Sequence, residues 1–385
     1  DGYIDFDDND RPLMWYTMQE TDGQRPQAVL GVFPDTYAGG TGAPTWAATL
    51  KAANYTTSPY YNQYLADGGC LADSSGNVYV HFNKAGDPGA GTGYAVGFSK
   101  YNSSGTRQAT IRYRALNSDN GSSTNSGFVQ IKPGFDEDGT HLYWGGMQSW
   151  ETPISQISSR TKMSNLEMGD TGSGTGWWRE LVFTGGDNTT NAFTTVNGAL
   201  LSDDNSLMYQ SGASAAGSGT VGKGIVTCRL ASTGAVQWIY KIENTLADGT
   251  AQFLGIGGMD IRGDFLYLNG SHQMGLGFYQ GFTLKLKADG STTGTSDFTV
   301  RNAANNGTVA CKMIITKLTS GYTDTNVQVS NAPDNNAYKI NEVPVDTSYT
   351  TFGTTLLGTP AIPGTNSTDS FTNTGDTPGT ETVAV

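Results

Sequence analysis

Two markers recur in the same order along the 385-residue chain, and they limit what it can fold into. The first is a short apolar run carrying an aromatic: Leu13-Met14-Trp15-Tyr16, Asn77-Val78-Tyr79-Val80, His141-Leu142-Tyr143-Trp144, Ser206-Leu207-Met208-Tyr209 and Phe265-Leu266-Tyr267-Leu268. Counted from Trp15, Tyr79, Tyr143, Tyr209 and Tyr267, the steps are 64, 64, 66 and 58 residues. The second is a turn glycine with a tryptophan four places on at Gly42/Trp46, Gly174/Trp178 (Trp177 beside it) and Gly234/Trp238. It degenerates to Gly105/Ala109 and Gly290/Gly294. From aromatic to turn glycine the offset is 27, 26, 31, 25 and 23 residues. Accidental spacing does not keep two markers in phase five times, and self-similarity at a fixed period is the mark of a repeat architecture.

Each unit reads as strand, turn, strand, long loop, strand, glycine turn, strand. The first turns are rich in residues that cap or accept positive φ, as in Asp73-Ser74-Ser75-Gly76, Asp136-Glu137-Asp138-Gly139, Asp203-Asp204-Asn205 and Gly263-Asp264. The third strands are apolar: Ala28–Val32, Ala95–Phe98, Gly224–Cys228 and Phe282–Leu286. Long loops are read at Lys84–Gly93, Gln148–Ser159 and Gly212–Lys223. One four-stranded antiparallel sheet cannot bury both faces alone, and radial stacking of equal sheets does so. The expected fold is therefore all-β, a β-propeller of about six four-stranded blades over residues 1–349. The units lie near 11–65, 66–125, 126–190, 191–247, 248–303 and 304–349. A β-sandwich would not hold both markers in phase, and a parallel β-helix needs shorter, denser rungs.

The sixth unit is the weakest copy. Ala337-Tyr338-Lys339-Ile340 stands in place of its aromatic run, Lys312–Thr316 reads as a buried strand before it, and no glycine–tryptophan pair follows. Residues 350–385 are rich in Thr, Gly and Pro and read as a linker or, less favoured, a ring-closing strand. The N-terminal Asp1-Gly2-Tyr3-Ile4 is neither an initiator Met nor a signal peptide, so a processed chain or a piece of a longer one is expected.

Composition narrows the function. A net charge of −13 argues against nucleic acid and against docking on anionic lipid. No apolar run is long enough for a membrane helix. Cys70, Cys228 and Cys311 are far apart with no CxxC pair, so at most one disulfide forms and inert buried thiols are expected.

Leu230-Ala231-Ser232-Thr233-Gly234-Ala235-Val236-Gln237-Trp238 resembles the end of a blade in quinoprotein-type propellers, where a T-G-x-x-x-W stretch locks neighbouring blades together. Asp73–Val80, with Phe98–Thr106, resembles the secreted-bacterial propeller repeat called SBBP. The likeness spans four to five units and implies a propeller in an extracellular setting. It does not carry quinone chemistry, which in those enzymes needs a vicinal cysteine pair that this sequence lacks. Similar Gly/Thr/Asn-rich repeats occur in phage structural proteins, which makes a virion component an expectation.

No catalytic motif stands out. His81 and His141 flank their marker tyrosines and His272 is isolated; all three are read as packed strand residues. Asp5, Asp7 and Asn9 match the first three calcium positions of a D-x-D-x-N loop, but Asp10 replaces the glycine and Tyr16 the closing Glu. Asp136, Glu137 and Asp138 read as a solvated hairpin turn. Asp260 and Asp264 are acids that nothing pairs, and Trp150 and Tyr37 are loop aromatics that would stack on sugar only if exposed. The expected function is an extracellular structural or adhesion module of a virion or cell surface, whose partners are other subunits or a surface glycan or receptor. No cofactor and no metal are expected. The alternatives are a secreted carbohydrate-active enzyme or a filament or surface-layer subunit.

Overall fold

The computed structural model describes residues 2–18, 27–34, 44–52, 65–84, 95–115, 129–131, 135–148, 155–164, 166, 176–183, 195–214, 222–274, 278–301, 308–326, 329–333 and 340–343. These residues form strands and turns, with no helix among them. The fold is all-β, a propeller-like arrangement of four sheets of five to seven strands and a smaller one of three.

Each sheet begins as an antiparallel meander in chain order. Sheet I holds β1 (Gly2–Phe6), β2 (Pro12–Met18), β3 (Gln27–Val32) and β4 (Trp46–Ala52). Sheet II holds β5 (Leu65–Ala72), β6 (Val78–Lys84), β7 (Ala95–Tyr101) and β8 (Arg107–Ala115). In sheet III the short β9 (Val129–Ile131) pairs beside β10 (Asp136–Glu137), β11 (His141–Gln148), β12 (Ser155–Lys162) and β13 (Trp177–Phe183). Sheet IV holds β14 (Thr195–Leu201), β15 (Leu207–Ser214), β16 (Lys223–Leu230) and β17 (Val236–Leu246), with β18 (Ala251–Gln252) against the end of β17. Sheet V has only β19 (Leu254–Arg262), β20 (Phe265–Met274) and β21 (Phe278–Lys287).

All five marker aromatics lie on the second strand of their sheet, and two of the hydroxyls explain why tyrosine stands there. Asp73 caps the β5–β6 turn by accepting the amides of Ser75 and Asn77, at 3.0 and 2.9 Å, and its second oxygen accepts the Tyr79 hydroxyl at 3.1 Å. Asp138 holds Tyr143 in the same way, at 2.8 Å. A residue at positive φ closes this first turn in every sheet: Asp10, Gly76, Gly139, Asn205 and Gly263.

The second marker joins sheets. A Cβ on Gly105 would lie 2.7 Å from the indole of Trp46 in sheet I. A Cβ on Gly234 would stand 2.7 Å from Trp177 of sheet III, and one on Gly290 would stand 2.6 Å from Trp238 of sheet IV. Each glycine also has a φ between +71° and +81°, which an L side chain resists. The Trp177 Nε1 donates to Ala231 O in the same turn at 2.9 Å, so the indole is both packed and hydrogen-bonded across the interface. Between sheets II and III, where Ala109 replaces the tryptophan, Leu166 occupies the turn at φ 56° and is fully buried in the cluster that Ala109 joins.

The buried clusters fall between consecutive sheets: Leu13, Trp15, Leu30 and Val32 with Cys70, Val80 and Phe82; Tyr79 and Phe98 with Trp144 and Trp178; Tyr143 and Trp177 with Leu201 and Met208; Val226, Tyr240 and Ile242 with Leu254, Leu266 and Leu286. No cluster joins sheet V to sheet I among the described residues.

The chain departs from six blades after β21. Among the described residues, the strands between 308 and 343 form no sheet of their own; they run back across the outer edges of the other sheets. β22 (Gly294–Arg301) leaves sheet V and pairs with β23 (Thr308–Leu318), which lies on β17 of sheet IV. Then β24 (Tyr322–Asn326) adds to β13 of sheet III, β25 (Val329–Pro333) to β8 of sheet II and β26 (Ile340–Val343) to β4 of sheet I. The return passes sheets IV, III, II and I in turn, and every added strand is antiparallel to its neighbour. Lys312–Thr316 is a strand as expected but a half-buried one: Met313 and Ile315 turn inward, with Cys311 before them, while Thr316 is exposed. The first unit also gains β1, ahead of its expected start at 11. Of the loops read from composition, 155–159 and 212–214 belong to β12 and β15, while 85–94, 149–154 and 215–221 lie outside the described residues, as do Tyr37, Gly42, Trp150, Gly174, Ala337–Lys339 and 350–385.

Replacing Trp238 by Ala removes a side chain that is 5% exposed and sits between two sheets. The expected loss is about 3–5 kcal/mol. Gly290→Ala is expected to be destabilising too, although it removes nothing, because it strains φ and drives a methyl into the indole. Chemical denaturation of both variants checks this.

Candidate functional site

The D-x-D-x-N stretch is a capped turn. The Asp7 carboxylate accepts the amides of Asn9 and Arg11 at 3.0 and 2.8 Å, and its other oxygen takes Arg11 Nε at 2.7 Å in a paired guanidinium–carboxylate contact. The Arg11 bonds and those two amides hold the Asp7 carboxyl below its ordinary range, though its burial works the other way. Asp5 accepts the neighbouring amide of Phe6 at 2.9 Å. Asp5, Asp7 and Asn9 therefore do not converge, and no group of three metal-ligating side chains occurs among the described residues.

Asp136, Glu137 and Asp138 are less solvated than a hairpin turn suggests. Asp136 reaches the next sheet and accepts the Leu201 amide at 2.8 Å. Burial raises its carboxyl above the usual range. Burial also raises Asp5, and the charge of Asp136 adds to the effect, so acids from sheets I and III share one electrostatic neighbourhood near the inner strands. Tyr3 borders it, its hydroxyl pushed up by burial and then by Asp5. Glu137 accepts the Gly139 amide and is raised by its own burial. Asp138 is held down to about 2: its burial opposes the shift, and its bonds from Thr140, Tyr143 and His141 outweigh that. Asp260 and Asp264 sit exposed on sheet V; Asp260 accepts the neighbouring Ile261 amide at 2.8 Å and stands 3.9 Å from Arg262.

The three histidines are strand residues. His141 Nδ1 lies 2.7 Å from the Thr140 hydroxyl and 2.9 Å from Arg160. His272 Nδ1 pairs with the Asn244 amide at 3.1 Å, and burial lowers its pKa. His81 is fully buried, edge-on to Phe135 at 4.5 Å, with neither ring nitrogen bonded among the described residues. Burial alone takes its pKa down to about 3. Cys70, Cys228 and Cys311 are buried free thiols; burial pushes Cys228 up to about 12 and Cys311 to about 11. A thiol held neutral is a poor nucleophile.

The densest polar group was not visible in the sequence. Between sheets III and IV, Ser158 donates to Gln210 at 2.6 Å, Gln210 donates to Ile157 O at 2.9 Å, and Thr227 donates to Gln156 at 2.8 Å. Gly145 leaves room for the Gln210 amide. At the centre Arg229, 1% exposed, donates to Ser158 at 3.0 Å, to Gly234 O at 2.7 Å and to Asp324 at 2.7 Å. Asp324 belongs to the returning strand β24, and Arg179 of β13 stands 3.8 Å from its other oxygen. One buried arginine thus ties sheet IV, sheet III, the locking turn at Gly234 and the return strand together. Only pairing across 95 residues brings Arg229 to Asp324, and no local pattern marks it.

Comparison with protein-family models, curated proteins and solved structures finds no match. The class is set by the fold: an all-β, propeller-like repeat protein whose described polar network fastens sheet to sheet.

Asp324→Ala leaves the buried Arg229 without its anion and is expected to cost roughly 3 kcal/mol, the lower end for breaking such a pair. Replacing both, as Arg229→Met with Asp324→Leu, is expected to recover most of that loss, and a double-mutant cycle by urea denaturation reads the difference. His81 gives an acid signature. Its folded pKa of about 3 lies below the ordinary 6.5. The neutral-imidazole stability is therefore present above that ordinary value and lost as pH falls toward the folded one. The slope in that window is about 1.4 kcal/mol per pH unit. His81→Leu is expected to flatten it when melting curves of the two proteins are compared across the range.

Proposed function

We propose that this chain is an extracellular structural or adhesion module, part of a virion or cell surface, that binds other subunits or a surface glycan or receptor through the loops of a rigid repeat scaffold. The observation that carries the reading is the use of the polar side chains. Arg229, Ser158, Gln210, Thr227 and Asp324 join sheets, while Asp7, Asp73 and Asp138 close turns and hold Tyr79, Tyr143 or Arg11. A net charge of −13 keeps such a scaffold soluble and turns it from polyanions. The extracellular setting rests on the likeness to secreted propeller repeats. Six blades would require a further sheet between sheets V and I.

One observation favours the rival reading, a glycan-cleaving enzyme. Burial raises both Asp5 and Asp136, the charge of Asp136 adds to the shift of Asp5, and a pair of carboxylates is the equipment of glycoside hydrolysis. The Leu201 amide on Asp136 gives that acid a fastening role instead.

A panel of polysaccharides, with reducing-end release as readout, decides between the two. We expect binding without turnover. Asp136→Asn keeps an oxygen for the Leu201 amide and removes an ionised group that the fold disfavours, so it is expected to raise the melting temperature at neutral pH. Turnover abolished by the same substitution would establish the enzyme.

A further inference from the structure

The first strand of each later sheet packs against the sheet before it: β5 on sheet I, β14 on β10 and β11, β19 on sheet IV. The side chains that make this contact are covered. Ala199 and Leu201 of β14 are 1% and 5% exposed, and Leu254 and Ile256 of β19 are 0% and 3%. β1 is the exception. Tyr3 turns toward sheet II, so Ile4 and Phe6 point the other way, where no sheet packs on them among the described residues, and they are 58% and 59% exposed. Met14 and Pro12 stand opposite them in the register and continue the apolar surface. Exposed Asp8 and Asp10 rim it in the next turn.

At the other end of the array, sheet V buries Leu266, Leu268, Leu284 and Leu286 against sheet IV. Its outward face carries Phe265 and Tyr267, with Lys285 Nζ 4.3 and 5.5 Å from their ring centres. Lys287, Arg262, Asp260 and Asp264 are exposed on the same sheet, with Arg262 3.9 Å from Asp260. One end face is apolar with an acidic rim; the other is aromatic with Lys285 over its rings.

We propose that these two faces dock on each other between copies of this chain, head to tail, with sheet V of one copy covering β1 of the next. The contact repeats in trans the sheet-on-sheet step used four times within the chain, and it brings Lys285 toward the Asp8/Asp10 rim. Because the two patches differ, the contact is heterologous, and its repetition builds a ring or a filament according to the rotation per copy. The inference rests on the structural-module reading and names its partner. Turnover on glycans would remove that reading without touching these faces, and a monomer would remove the docking without supplying an activity.

Analytical ultracentrifugation of the full chain across a concentration series tests it. The expected result is association that weakens with salt, and that Phe6→Asp and Lys285→Glu each weaken about tenfold or more, with melting curves unchanged since both side chains face solvent. Asp10→Lys repels in the same way by itself. A mixture of Lys285→Glu copies with Asp10→Lys copies restores a charge-matched contact and is expected to associate, which misfolded variants cannot do. The proposal is overturned if the full chain stays monomeric at every concentration, or if association ignores these substitutions. It is overturned equally if a chain ending at residue 343 associates and the full chain does not, since residues 344–385 would then compete for the face.

Discussion

Everything in this fold depends on a sheet being too thin to stand alone. A four-stranded meander has two faces, and its residues alternate between them, so both must be covered. The chain covers them by stacking one sheet on the next, and it fixes the stacking with an indole laid on a turn that has no Cβ. The absence of that one carbon decides the geometry. Trp46, Trp177 and Trp238 approach Gly105, Gly234 and Gly290 more closely than any side-chain-bearing residue permits. The positive φ of those glycines makes the turn that presents the backbone. Where the indole is lost at Ala109, Leu166 at positive φ is buried in the cluster that Ala109 joins.

The second constraint is that sheet edges expose unpaired backbone groups. The chain extends these edges with a return pass, whose strands become the new edges. After sheet V, β23 with β22 beyond it extends sheet IV, and β24, β25 and β26 extend sheets III, II and I by one strand each, so the last part of the sequence pairs with the first part in reverse order. The pass is secured where it crosses sheets III and IV, since Asp324 of β24 meets Arg229, whose own pKa is lowered by burial and partly restored by that carboxylate. A buried guanidinium needs such a partner; Ser158 and the Gly234 carbonyl accept from its Nε and Nη1, while its Nη2 has no hydrogen-bond partner among the described residues. The two end faces, β1 outward and sheet V outward, are what this scheme leaves open, and they are where side chains turn from packed aliphatics to Ile4, Phe6, Phe265, Tyr267 and Lys285.

Much of this was written into short stretches of sequence. The marker aromatics, the capped turns and the glycine–tryptophan offsets each depend on a few residues of one unit, so alternation and turn chemistry were enough to place the strand–turn–strand order and the all-β class. Asp73-Ser74-Ser75-Gly76 announces its turn because the carboxylate reaches amides two and four residues on. At Asp5, Asp7 and Asn9 the spacing matches the start of a calcium loop and Asp10 breaks the match; in the structure Arg11, four residues after Asp7, pairs with its carboxylate. His81 was read as a packed strand residue from its place beside Tyr79, and its complete burial against Phe135 agrees.

By itself, then, the sequence determined the building block and its interlock, because both are made of contacts whose residue types are fixed by steric and hydrogen-bond rules at close range. Tertiary structure alone decided where β22 to β26 pair and the meeting of Arg229 with Asp324. A strand such as β24, Tyr-Thr-Asp-Thr-Asn, has no pattern that names its partner. Its place is set by which edge is left open once the earlier sheets have stacked, and that is a property of the assembled array.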